Sequence, residues 1–118
     1  MKKYLFVLRR PPYIGAHVQE TLDMILTAAA FDRQVSVLFV DDGVLQLKSG
    51  QNPAAMALKD TAAVFGALEI YDVRALYAET ESLRDRGLET ADLILPVQAI
   101  CRSEVNQLMR RHDVVVPD

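Results

Sequence analysis

The chain has 118 residues, 51% of them hydrophobic and 25% charged, with a formal net charge of −3, the balance of one globular domain over residues 1–118. That length is too short for two full domains, yet it buries roughly two-thirds of the surface its unfolded form exposes, enough for a core without disulfides or a structural metal. The acidic balance argues against direct nucleic-acid binding, which needs a basic surface to neutralise phosphates.

The start, Met1 to Phe6, meets Arg9-Arg10-Pro11-Pro12 after five uncharged residues, too few for a signal peptide. No apolar stretch approaches the ~20 residues of a membrane span, so a cytoplasmic location with no membrane partner is expected. Within that start, Tyr4 to Leu8 is an apolar run without polar alternation, which predicts a strand buried on both faces of a parallel sheet. From His17 to Phe31, Val18, Leu22, Ile25, Leu26 and Ala29 recur at three- and four-residue steps and predict an amphipathic helix. Val35 to Val40, rich in β-branched residues, predicts a second strand that Asp41-Asp42-Gly43 stops. Asn52-Pro53 is a helix start, carried on by Ala-rich sequence to about Phe65.

A third strand is expected over Val73 to Ala78, followed by a short helical turn, Ser82 to Gly87, that Ser82 caps. Pro96 interrupts the next apolar stretch, which places a fourth, edge strand near Val97 to Ile100. Ser103 is expected to cap a last helix ending near Arg110, and Val114 to Val116 is the fifth strand. The alternation predicts an α/β fold: an open, mostly parallel five-stranded sheet with helices on both faces. In a flavodoxin-like strand order the ligand crevice would lie between the loop after strand one, Arg9 to His17, and the loop after strand three, Glu79 to Arg86.

The residues of that crevice give chemistry little purchase. A phosphate site needs closely spaced backbone N–H donors, whereas Arg9 to Ala16 carries one glycine and two prolines that lack them. Thr80 and Ser82 are hydroxyls within reach of a base only if His17 faces them, and Glu79, Glu81 and Asp85 show no spacing that separates an acid–base pair from a polar loop. The sharpest candidate is the one cysteine, Cys101, where a thiolate would be stabilised by a helix N-terminus and Arg102; its apolar lead-in favours a structural thiol.

One thiol and two histidines are too few for a zinc site, and the adjacent Asp41 and Asp42 point in different directions, so no metal and no cofactor are expected. One of those carboxylates is expected to cap the turn at Gly43. Val44, Leu45 and Leu47 then form an apolar knob, which with Tyr13 and the two aspartates makes a partner surface. Arg9, Arg10, Arg102, Arg110 and Arg111 read as solvated faces.

Two patterns, Phe39-x-Asp41-Asp42-Gly43-Val44-x-Gln46-Leu47 and Ser82-Leu83-x-x-Arg86-Gly87-Leu88, together with Ala29 to Asp32, Gly50-Gln51 and Tyr71 to Val73, closely resemble the TusC/DsrF family of bacterial sulfur relay over nearly the whole chain. The resemblance implies a DsrE-like fold and a place in a TusBCD- or DsrEFH-type heterohexamer beside TusB-like and TusD-like (DsrH- and DsrE-like) chains. In that system persulfide sulfur moves along cysteines toward 2-thiouridine at the tRNA wobble position or, in the Dsr branch, through sulfur oxidation. The family's sulfur-carrying cysteine belongs to the TusD/DsrE partner at the end of its third strand, a position that falls at or beside Glu79 here. A carboxylate carries no persulfide, so the resemblance implies a non-catalytic, assembly-forming subunit. The alternatives left open are a DsrF-type subunit of sulfur oxidation, a sulfurtransferase using Cys101, and a small-molecule module using the crevice.

Overall fold

Apolar runs that lack polar alternation must be covered on both faces, and here they become neighbouring strands of one parallel sheet. The computed structural model of the chain describes residues 2–10, 17–31, 34–47, 68, 73, 75–93 and 97–117. Its elements are β1 (Lys3–Leu8), α1 (His17–Ala30), β2 (Gln34–Phe39), a 3-10 turn (Asp41–Leu47), β3 (Ala75–Glu79), α2 (Thr80–Asp85), β4 (Gln98–Ile100), α3 (Arg102–Arg110) and β5 (Val114–Pro117). The helix expected after Asn52-Pro53 and the loop bearing Tyr13 lie outside the described residues.

All four strand pairings are parallel, in the order β4-β3-β2-β1-β5. The steps from β1 to β2 and from β3 to β4 run in one direction, so right-handed crossovers place α1 and α2 on one face. The step from β4 back to β5 reverses direction and sends α3 to the other face. The packing follows: Ile25 of α1 and Leu83 of α2 join Phe6, Leu8, Val37, Phe39 and Ala78 on the first face. On the second face Leu108 of α3, flanked by Val105 and Met109, packs with Leu5, Val7, Leu38 and Ile100. The period-2 alternation of β1 explains the split, with Phe6 and Leu8 turned one way and Leu5 and Val7 the other.

The open parallel sheet with helices on both faces is as expected, whereas the flavodoxin-like order is not. The loops after β1 and β3 are separated by β2, so they do not flank one crevice. Exits toward opposite faces occur instead at neighbouring β3 and β4, which feed α2 and α3, and the switch point lies there. Element ends shift as well. The third strand runs to Glu79, which pairs with Ile100, and Glu79 rather than Ser82 stands at the N-cap of α2. Cys101, not Ser103, is the N-cap of α3.

Hydrogen bonds fasten the remaining ends. Lys3 and Asp113 are joined twice: the Lys3 N–H donates to Asp113 Oδ2 at 2.8 Å, and the Asp113 N–H donates to the Lys3 carbonyl at 2.8 Å, which starts β5 alongside β1. His112 Nδ1 lies 2.7 Å from the Leu108 carbonyl, so it carries the proton, and Nε2 lies 3.1 Å from Ser36 Oγ on β2. The last turn of α3 is thereby held to the sheet.

The turn after β2 packs against the end of β1. The Val40 N–H donates to the Leu8 carbonyl, and a Cβ on Gly43 would stand 1.9 Å from that same oxygen. Only a glycine lets the turn close there. Gly87 differs, with φ at +67° and no atom within 4 Å of an added Cβ. Gly43→Ala is therefore expected to destabilise by at least about 2 kcal/mol, since backbone must move, and Gly87→Ala by about 1 kcal/mol through left-handed strain alone. Urea denaturation midpoints of the two variants, at unchanged slope, check the ranking.

Candidate functional site

At the switch point between β3 and β4 the chain places a carboxylate. Glu79 ends a strand in which alternation turns it toward the face that carries α3, and it is 5% exposed. A buried carboxylate must be hydrogen-bonded or neutralised. Ser82, one helical turn on and fully buried, donates its hydroxyl to Glu79 Oε1 at 2.6 Å. Arg102, in the first turn of α3, donates Nη2 to the same oxygen at 3.0 Å while most of its own side chain stays in solvent. The Ser82 oxygen in turn accepts the Asp41 N–H at 2.8 Å, so the turn after β2 is tied to the end of β3. Asp41 reaches that position with φ at +50°, a conformation Asp tolerates better than most residues.

A second pairing runs parallel to the first. Arg86 donates Nε and Nη2 to Asp42 Oδ1 at 3.1 and 2.9 Å and Nη1 to the Ser82 carbonyl at 3.2 Å. The Arg102 N–H donates to Glu81 Oε1 at 2.9 Å. Four elements thus converge on one polar cluster: the turn after β2, the end of β3, α2 and the start of α3. Burial alone would push the Glu79 carboxyl up. Hydrogen bonds from Arg102 and Ser82, with the charges of Arg102 and Arg86, together outweigh it and hold the carboxyl below its ordinary value of 4.5.

Cys101 stands beside this cluster without joining it. The residue is exposed, and its N–H donates to Glu104 Oε1 at 3.3 Å. Its thiol is pushed up, first by partial desolvation and then by the neighbouring carboxylates of Glu104 and Glu81. The expected help from Arg102 is not given, because that guanidinium is committed to Glu79. An activated nucleophile needs the opposite shift.

The partner surface read from the sequence is redrawn by the packing. Val44 and Leu47 are fully buried in the first-face core, and Leu45 is half-buried against it, so these residues anchor the turn instead of forming an outward knob. The reason is the tightness Gly43 permits, which folds the turn over the ends of β1 and β2. Asp41 and Asp42 are exposed, and Asp42 holds Arg86 rather than capping the turn. Tyr13 lies outside the described residues, as does the side chain of His17. Ser82 is sealed from solvent and offers no nucleophile. Among the described residues no three His, Cys, Asp or Glu side chains gather as a metal site, and no helix is long and apolar enough to cross a membrane.

At the switch point, then, a buried carboxylate is locked by its own serine and arginine, with an exposed thiol beside it. The model of the DsrE/DsrF-like family matches residues 2–117. The chain belongs to that family. It is 39% identical to the TusC homolog of Pseudomonas aeruginosa, covering 95% of this chain and 94% of that one. It is 34% identical to the intracellular sulfur oxidation protein DsrF of Allochromatium vinosum, covering 98% and 95%. The fold is that of the YchN protein of Escherichia coli, with a TM-score of 0.86 over the whole of both chains at 19% identity.

The lock has a pH signature. A carboxyl held below its unfolded value stabilises the fold above that value and loses the contribution as pH falls from about 4.5 through the lowered folded pKa. Glu79→Gln is expected to cost about 1–2 kcal/mol at neutral pH and to flatten the acid limb of stability below pH 4.5. Denaturation series from neutral pH down to the acid limit, run on both proteins, check the sign.

Proposed function

We propose that this chain is a non-catalytic subunit of a sulfur-relay complex of the TusBCD type, supporting persulfide transfer between other subunits for 2-thiouridine formation at the tRNA wobble position. The observation that carries the reading is the identity of the residue at the end of β3. The resemblance puts the partner's sulfur carrier at the matching position, and here Glu79 is buried and engaged by Ser82 and Arg102. A paired carboxylate has no nucleophilic sulfur to offer. Cys101 supports the same reading from the other side, since its thiol is pushed up rather than down. The subunit would act by assembling with related chains in the cytoplasm and holding the relay's reactive cysteines in position.

The DsrF relative supports a second reading, in which the same subunit type serves sulfur oxidation. The two readings share the assembly and differ in the sulfur's destination. Co-expression with the two related chains, followed by sizing and a sulfur-transfer assay to tRNA-bound acceptors, separates them. A mixed hexamer whose Cys101→Ser variant transfers sulfur at the wild-type rate is expected. Loss of transfer in a variant that still assembles would make Cys101 a carrier and overturn the non-catalytic reading.

A further inference from the structure

Among the described residues α3 is the one helix packed on the second face of this sheet, and one helix does not span it. Five strands spaced about 4.8 Å apart span roughly 20 Å, whereas a helix with its side chains is about 10 Å across. α3 spends its apolar side, Val105 and Leu108, on Leu5, Val7, Leu38 and Ile100. Beside it, over β3 and β4, a groove of about 520 Å³ remains. Tyr77, Gln98 and Ile100 form its floor, and Glu104, Gln107, Arg110 and Arg111 its wall.

The wall is electrically polarised. Glu104 lies at one end, where it accepts the Cys101 N–H. Arg110 and Arg111 lie two helical turns away at the other end, with no ion pair among the described residues. The arginines nearest the switch point, Arg86 and Arg102, are instead held by Asp42 and Glu79. We infer that this groove is a docking site for an acidic segment of a partner subunit, whose carboxylates meet Arg110 and Arg111 while its neighbouring side chains lie on Tyr77 and Ile100. The inference rests on the subunit reading above and adds to it the surface and the charge of what covers it.

The groove's chemistry favours a protein segment over other anions. A nucleic-acid backbone requires a track of several cations, and here two arginines share the wall with a carboxylate. A single small anion would leave most of the volume and the Tyr77 floor unused. Guanidinium forks suit one or two carboxylates, and a half-buried tyrosine offers an apolar ring with a polar tip.

The test uses the co-expressed complex at low and at physiological salt. Arg110→Glu with Arg111→Glu is expected to weaken assembly at least tenfold, Arg110→Gln with Arg111→Gln by a smaller factor, and both are expected to flatten the salt dependence of the wild type. Circular dichroism melting of the isolated variants establishes that each is folded. Folded variants that assemble with wild-type affinity and salt dependence overturn the docking site alone. Intact assembly combined with lost tRNA or inorganic-phosphate binding reassigns the groove to those anions and also overturns it. A wild-type chain that assembles with neither related chain overturns the subunit reading and this inference together.

Discussion

The constraint on which the site depends is a carboxylate buried at the carboxyl edge of a parallel sheet. Glu79 cannot be left there uncompensated, and the groups that compensate it come from separate elements: Ser82 from α2, Arg102 from α3 and, through Ser82, the Asp41 N–H from the turn after β2. Satisfying one side chain therefore fixes the relative placement of structures on both faces of the sheet. The strand order makes this possible. Among the described elements, the adjacent strands β3 and β4 exit toward opposite faces, so a residue at that point can be reached from both α2 and α3.

The same constraint gives a physical meaning to the two sequence patterns. In the first, Asp42 binds Arg86, Gly43 admits the Leu8 carbonyl, and Val44 and Leu47 fill the core. In the second, Ser82 serves Glu79, Leu83 and Leu88 fill the core, Arg86 binds Asp42, and Gly87 takes a positive φ. The segments lie some forty residues apart and form one unit of structure. A polar lock of this kind positions chain segments.

Most of the architecture was legible because the apolar runs of β1 and β2 and the β-branched tail of β5 leave few alternatives to buried parallel strands. Strand order was not legible, since no local pattern says which side of β1 receives the last strand, and the expected crevice moved with it. The caps follow from tertiary contacts as well. Ser82 and Ser103 look like N-caps by composition, but Glu79 and Cys101 occupy those positions, and Ser82 is drawn inside by a long-range carboxylate. The glutamate ending an apolar strand was the available signal for the lock. Arg86 was visible only as part of the second pattern, because its partner Asp42 is remote in sequence. The apolar side chains of the first pattern look like a surface in sequence, because a turn so tightly closed over the sheet depends on Gly43 meeting β1, a tertiary fact.

The central claim is that this chain positions a sulfur relay without carrying sulfur itself. Intact-mass spectrometry of each subunit in the reconstituted complex, quenched during turnover from a persulfide donor, tests it directly. The account predicts that this chain keeps its unmodified mass while a related chain gains the mass of a sulfur atom. A sulfur adduct on this chain, mapped to Cys101 and discharged on adding acceptor, would contradict it.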